Sequence, residues 1–190
     1  MSSDFTSKLI TDRVEFKLFA AQTRLHNLQQ IKLNSGNMEK IDPNVQMELE
    51  IDCFLSQIIG VIDCLLELIN ARLELGIAAG RADPTAIQSA LNSRTKNISL
   101  ITELHLALEH NRWLWTLKEF RNQTMQKPSK QVLDLLLENK PASMVSEDYD
   151  TYKINWKEFN HKNLIEYFEK SVKRVRELVD TIRIKEPLLK

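Results

Sequence analysis

Apolar residues along this 190-residue chain recur at steps of three and four, the spacing of helices, and only once at steps of two. The clearest stripe is Leu164, Phe168, Ser171, Val175, Leu178 and Ile182, an alternation of fours and threes that predicts a long closing helix with a coiled-coil-like seam. A first helix is expected from about Thr6 to Asn34, with Val14, Leu18, Ala21, Leu25 and Leu28 on one face. After a loop containing Asp42-Pro43, a second runs from about Asn44 to Leu75, carrying Met47, Ile51, Phe54, Leu55, Ile58, Ile62, Leu65 and Ile69. Gly76 and Gly80 end it. Asp83-Pro84 reads as a cap followed by a proline at the first helical position, so a third element starts there and continues, with a break near Thr95, to about His110. A fourth runs from Asn111 to Gln126 and is closed by Lys127-Pro128.

From Pro128 to Asn160 the periodicity weakens. A short helix is expected at 130–138, then a loop from Pro141 to Asp150, and then the alternating Tyr152, Ile154 and Trp156, which suit a short strand or an extended cover strip. The expected architecture is one all-α domain over residues 1–190, an up-down bundle of four to five long helices with an irregular arm at about 139–160.

Composition fits this picture: 43% hydrophobic and 27% charged residues suit a folded, soluble chain. The 26 basic residues balance the 26 acidic ones, so no global field recruits nucleic acid or an anionic membrane, and such a partner must meet a local patch. The longest greasy run, Ile58 to Ile69, falls short of the roughly 20 residues a membrane span needs and contains Asp63 and Glu67. No signal peptide is evident at the N-terminus. Cys53 and Cys64 lie on one predicted helix, roughly 16 Å apart at helical rise, too far to bridge, and suit small core residues in a reducing compartment. A soluble, cytoplasmic protein is the expectation.

Several chemistries are excluded by spacing. Gly36, Gly60, Gly76 and Gly80 never cluster into a phosphate cradle. Of the residues that a di-iron bundle needs, only Glu158 and His161 match. His26, His105 and His110 lack zinc-ligand spacing, and no nucleophile elbow is present. Neither a metal nor a cofactor is expected.

One stretch stands apart. Steps of three, four and four from Leu114 through Leu117 and Arg121 to Met125 set a guanidinium on the apolar stripe of the fourth helix, where a leucine would be expected. Burying an unpaired guanidinium costs several kcal/mol, so Arg121 has either a hidden acidic partner or a place in an anion-binding cleft. Asp63 has two readings: a partner for Arg121, or a member of a solvent-facing polar stripe with Glu67 and Asn70. Between Asn111 and Lys130 the cations Arg112, Lys118, Arg121, Lys127 and Lys130 face the single acid Glu119, leaving a net charge of +4. Trp113 and Trp115 lie among them. Cations interleaved with aromatic rings suit single-stranded nucleic acid, phosphates on the former and bases on the latter, while tryptophans anchoring a core under a solvated basic face is the competing reading.

The run Arg121-Asn122-Gln-Thr-Met-Gln126 resembles the Arg-Asn-x-x-x-His motif of HEPN domains, with Gln126 in the histidine's place. The order of elements is similar too: two long helices, a motif helix, an irregular stretch and a long closing helix. The resemblance implies a bundle that pairs two motif helices across a homodimer, often in prokaryotic defence or toxin systems. It implies that Arg121 holds an RNA phosphate, that Asn122 orients the site, and that in active members the histidine moves protons while the ribose 2′-hydroxyl attacks without a metal. Glutamine donates and accepts hydrogen bonds but does not titrate, so the resemblance implies binding with weak or absent cleavage. His110, at the far end of the same helix, is able to replace the missing base only from a second subunit. The expected function is a HEPN-like module, dimeric, binding RNA or a nucleotide through Arg121 with Arg112, Lys118 and Lys127 around it. The alternatives are a non-catalytic helical interaction or scaffold protein, with Arg121 in a buried ion pair, and a metal-independent endoribonuclease.

Overall fold

In a computed structural model the chain is an all-α helical bundle, described here for residues 7, 9–33, 42–94, 99–110, 112–127 and 161–189. The helices are α1 (Arg13–Leu33), α2 (Pro43–Arg72), α3 (Pro84–Ser93), α4 (Thr102–Leu108), α5 (Trp113–Thr124) and α6 (His161–Lys185), followed by a 3₁₀ turn at Pro187–Leu189. No strand occurs among the described residues. The expected short helix at 130–138, the Pro141 to Asp150 loop, the alternating strip ending at Trp156 and the arm they form all lie outside them, as does Lys130.

The helix starts are those that the capping chemistry dictates. Asp42 accepts the amide of Asn44 at 2.7 Å ahead of Pro43, and Asp83 accepts that of Ala86 at 2.8 Å ahead of Pro84. Residues 9–11 are helical as expected, but the first helix restarts at Arg13 because the Asp12 carboxylate takes the amides of Val14 and Glu15, both at 3.1 Å. Beyond α2, Gly76 and Gly80 adopt φ of +75° and +74°, a conformation that side chains resist, and turn the chain toward α3.

Cross-links fix the directions of neighbours. Lys17 meets Gln57 while Asn27 meets Glu50, so α1 and α2 run antiparallel. Gln29 meets Glu169 while Arg183 meets Asp12, so α1 and α6 are antiparallel as well. Phe120 lies against Phe168 while Arg174 reaches Trp113, giving the same relation for α5 and α6. The closing seam is entirely internal: Leu164, Phe168, Ser171, Val175, Leu178 and Ile182 are all buried. At the centre Phe168 packs on Phe54 with ring centroids 4.2 Å apart and on Phe120 at 6.0 Å, joining α2, α5 and α6 in one continuous core.

Two expectations change. Asn70 is buried, not part of a solvent-facing stripe: its amide donates to the Ile77 carbonyl at 2.8 Å and accepts the Ile77 amide at 3.1 Å, clamping the turn after α2. Cys53 and Cys64 are half-buried free thiols at the margin of the core. No helix among the described residues is long and apolar enough to cross a membrane.

Candidate functional site

The core face of α5 passes through Leu114, Leu117 and Phe120, each at most 1% exposed. The expected stripe through Arg121 to Met125 therefore diverges from the real one after Leu117, and Met125 is 69% exposed. The two paths compete because steps of three and four both keep a helical face, and the larger apolar side chain takes the interior. Arg121, one residue and about 100° beyond Phe120, sits on the shoulder of the helix, half-buried. Its guanidinium donates to Asn122 Oδ1 at 3.3 Å, and no ion pair to Arg121 closes within 4.0 Å among the described residues. Asn122 itself is exposed beside it.

Helix α5 ends three residues past Arg121. Thr124 Oγ1 donates to the Arg121 carbonyl at 2.9 Å, and the amides of Gln126 and Lys127 both return to the Gln123 carbonyl at 3.0 Å. Gln126 thus stands in the turn beyond the helix, exposed, as does Lys127.

Across from α5, Asp63 lies on the outward face of α2 and is exposed. Its carboxyl is nevertheless held above the usual carboxylate value of 3.8: partial burial by neighbouring protein raises it, against the pull of Lys118, Arg121 and Lys17 in that order. Asp63 and Arg121 thus sense each other electrostatically without meeting as a salt bridge.

Lys17 was not legible as a member of this group. It belongs to α1, and its stem lies over Gly60, where an added Cβ would come within 3.4 Å of two of its methylene carbons, while its Nζ donates to Gln57 at 2.9 Å. A glycine inside an apolar helical run is the available sequence signal, since such a residue marks a close approach. Three cations from two helices, Lys17, Lys118 and Arg121, thus bear on one carboxylate of the helix between them.

The rest of the basic segment does not join them. Arg112 caps the opposite end of α5, roughly 13 Å along the axis from Arg121, and pairs with Glu109 at 3.4 Å. Trp113 is partly buried against the core with Arg174 5.8 Å from its ring centre, and the Trp115 ring meets that of exposed His110 at a tilt of 53°, centroids 4.5 Å apart. Both tryptophans are thus partly buried, and Trp113 packs against the core as an anchor would.

Among the described residues no three of His, Cys, Asp and Glu gather closely enough to hold a metal ion. The chain matches no protein-family model, no characterised protein and no solved structure.

Proposed function

We propose that the chain is a HEPN-like helical module, working as a homodimer, that binds RNA or a nucleotide through Arg121 and cleaves it weakly or not at all. The observation that carries this reading is the state of Arg121: a partly buried residue whose guanidinium no acid neutralises within 4.0 Å among the described residues, and which bears on the Asp63 carboxylate together with Lys118 and Lys17. A guanidinium fork is the side chain best matched to a phosphate, and the nearby Asn122 amide fixes its direction. Gln126 supplies hydrogen bonds but no proton transfer, which leaves binding without a general base.

A scaffold role is favoured by a different feature. Val45 and Leu49, one turn apart at the start of α2, are 53% and 55% exposed, an apolar pair suited to a protein partner.

The test is binding of a labelled single-stranded RNA to the wild type and to Arg121→Ala, with helicity measured in parallel. The proposal expects affinity that falls with added salt and is lost in a variant that stays folded. An unfolded Arg121→Ala together with a wild type that never binds RNA would transfer the role of Arg121 to the scaffold. Cleavage in excess chelator leaving cyclic phosphate ends would make the protein a ribonuclease, and light scattering of the purified chain reads the dimer directly.

A further inference from the structure

We propose that Asp63 is a built-in competitor of the bound anion: its carboxylate offsets part of the cationic charge of Lys17, Lys118 and Arg121, and phosphate binding tightens when Asp63 loses its own charge. The inference rests on the phosphate-binding reading of Arg121 and adds to it the residue that sets the strength and pH response of the site.

The geometry carries it. Helix α2 runs between α1 and α5 and turns Asp63 outward. On the α1 side Lys17 is held in place, its stem across Gly60 one turn before Asp63 and its ammonium on Gln57. On the α5 side Lys118 and Arg121 are one turn apart on a shared face. None of the three cations is locked to Asp63 by an ion pair within 4.0 Å among the described residues. A carboxylate locked by hydrogen bonds would be a fixed part of the framework. An unlocked one lowers the potential that an incoming anion meets, and its partners stay available to that anion.

Three cations against one carboxylate leave a surplus of two charges, which suits two successive phosphodiesters of a single strand. Counterion release then gives a slope of log affinity against log salt of about −1.4, steepening to about −2.1 when Asp63 is neutral. Lys17 of α1 and Lys118 and Arg121 of α5 are the charged groups bearing on Asp63 from the flanking helices; on α2 itself its neighbours are the Cys64 thiol and, one turn on, Glu67. Partial burial holds the Asp63 carboxyl above its usual value, so protonation starts at a less acidic pH than for a free carboxylate.

The experiment compares the wild type with Asp63→Asn, using two probes whose charge is constant from neutral pH down to about pH 4, the range into which the raised Asp63 carboxyl titrates: a labelled oligouridylate followed by anisotropy, and inorganic sulfate followed by NMR shifts. At the upper pH the variant is expected to bind both probes about three- to tenfold more tightly, and to show less gain than the wild type on acidification. If Asp63→Asn binds neither probe more tightly, or keeps the full pH response of the wild type, the competitor role is overturned. Sulfate binding that tightens in the variant while oligouridylate binds neither protein keeps Asp63 as the competitor and removes RNA as the ligand. Binding of neither probe to either protein overturns both readings.

Discussion

Arg183 of α6 donates to Asp12 Oδ2 at 2.8 Å, and the same Asp12 uses its other oxygen to cap α1. A second nitrogen of Arg183 reaches Glu15 at 2.7 Å, and Glu15 also receives Arg176 on both of its oxygens. The start of the first long helix is thereby tied to the end of the last. Arg183 is only 14% exposed, so the network is partly shielded from solvent. Arg183→Ala is expected to cost about 1–2 kcal/mol, because Arg176 still serves Glu15 and Asp12 keeps its cap. For a chain of this size that lowers Tm by about 3–6 °C, readable by calorimetry. Arg183→Lys should recover less than half of the loss, since a point charge does not bond both acids as the fork does.

Asn70 closes a ring with both backbone groups of Ile77, its side chain acting as donor and acceptor together. Alanine at 70 leaves a half-buried amide and carbonyl without partners, at a cost of about 1–3 kcal/mol. The urea midpoint of Asn70→Ala should fall with its slope unchanged, as the folded surface is the same. Asn70→Asp should be no better than alanine, because it loses the donor to the Ile77 carbonyl and sets a negative charge against it. Glu67, which takes the Gly80 amide at 2.8 Å, holds the far end of the same turn and limits the damage to a local opening visible in hydrogen exchange at Ile77.

The raised pKa of Asp63 carries a sign for stability. Folded Asp63 holds its proton more tightly than the unfolded chain does, so its contribution is fully present below about 3.8 and is lost as pH rises through the higher folded value. Asp63→Asn has no proton to release. It is expected to be more stable than the wild type at neutral pH, with the difference closing as the solution is acidified. Paired urea titrations across that range measure it. A variant less stable at neutral pH would mean that attraction to Lys118, Arg121 and Lys17 outweighs the burial.

The bundle was legible in sequence because its helices are long and their seams regular. The α6 seam, from Leu164 to Ile182, leaves no second face for the core to choose. In α5 two faces diverge after Leu117, and only packing against Phe168 decides that Phe120 goes inside and Arg121 to the rim. Asn70 misled for a similar reason: its polarity suits solvent equally well until a backbone turn is folded onto it. The site was half legible. Arg121, Asn122 and Asp63 carry local signals, whereas Lys17 reaches the group only through the antiparallel docking of α1 on α2, which no single window contains. The Arg183, Asp12 and Glu15 network is hidden in the same way, as ordinary charges at helical spacing that meet across the whole length of the chain.

Gln126→His tests how much of a catalytic site surrounds Arg121. Position 126 lies just past the end of α5, exposed, with its backbone fixed by the Gln123 carbonyl, so a histidine there is accommodated without disturbing the core. It stands five residues past Arg121 at the same helix end, and two side chains placed there can reach toward one phosphodiester. An imidazole titrates near neutrality and supplies the proton transfer that glutamine does not, a contribution of about 10²- to 10⁴-fold. The expected outcome is chelator-resistant RNA cleavage that appears in Gln126→His, leaves cyclic phosphate ends, and disappears again when Arg121→Ala is added. Cleavage that survives the loss of Arg121 would come from elsewhere in the protein. A Gln126→His variant that binds RNA as the wild type does and never cuts it would leave Arg121 as a phosphate ligand and nothing more, because the proton carrier would then be present and the attacking geometry absent.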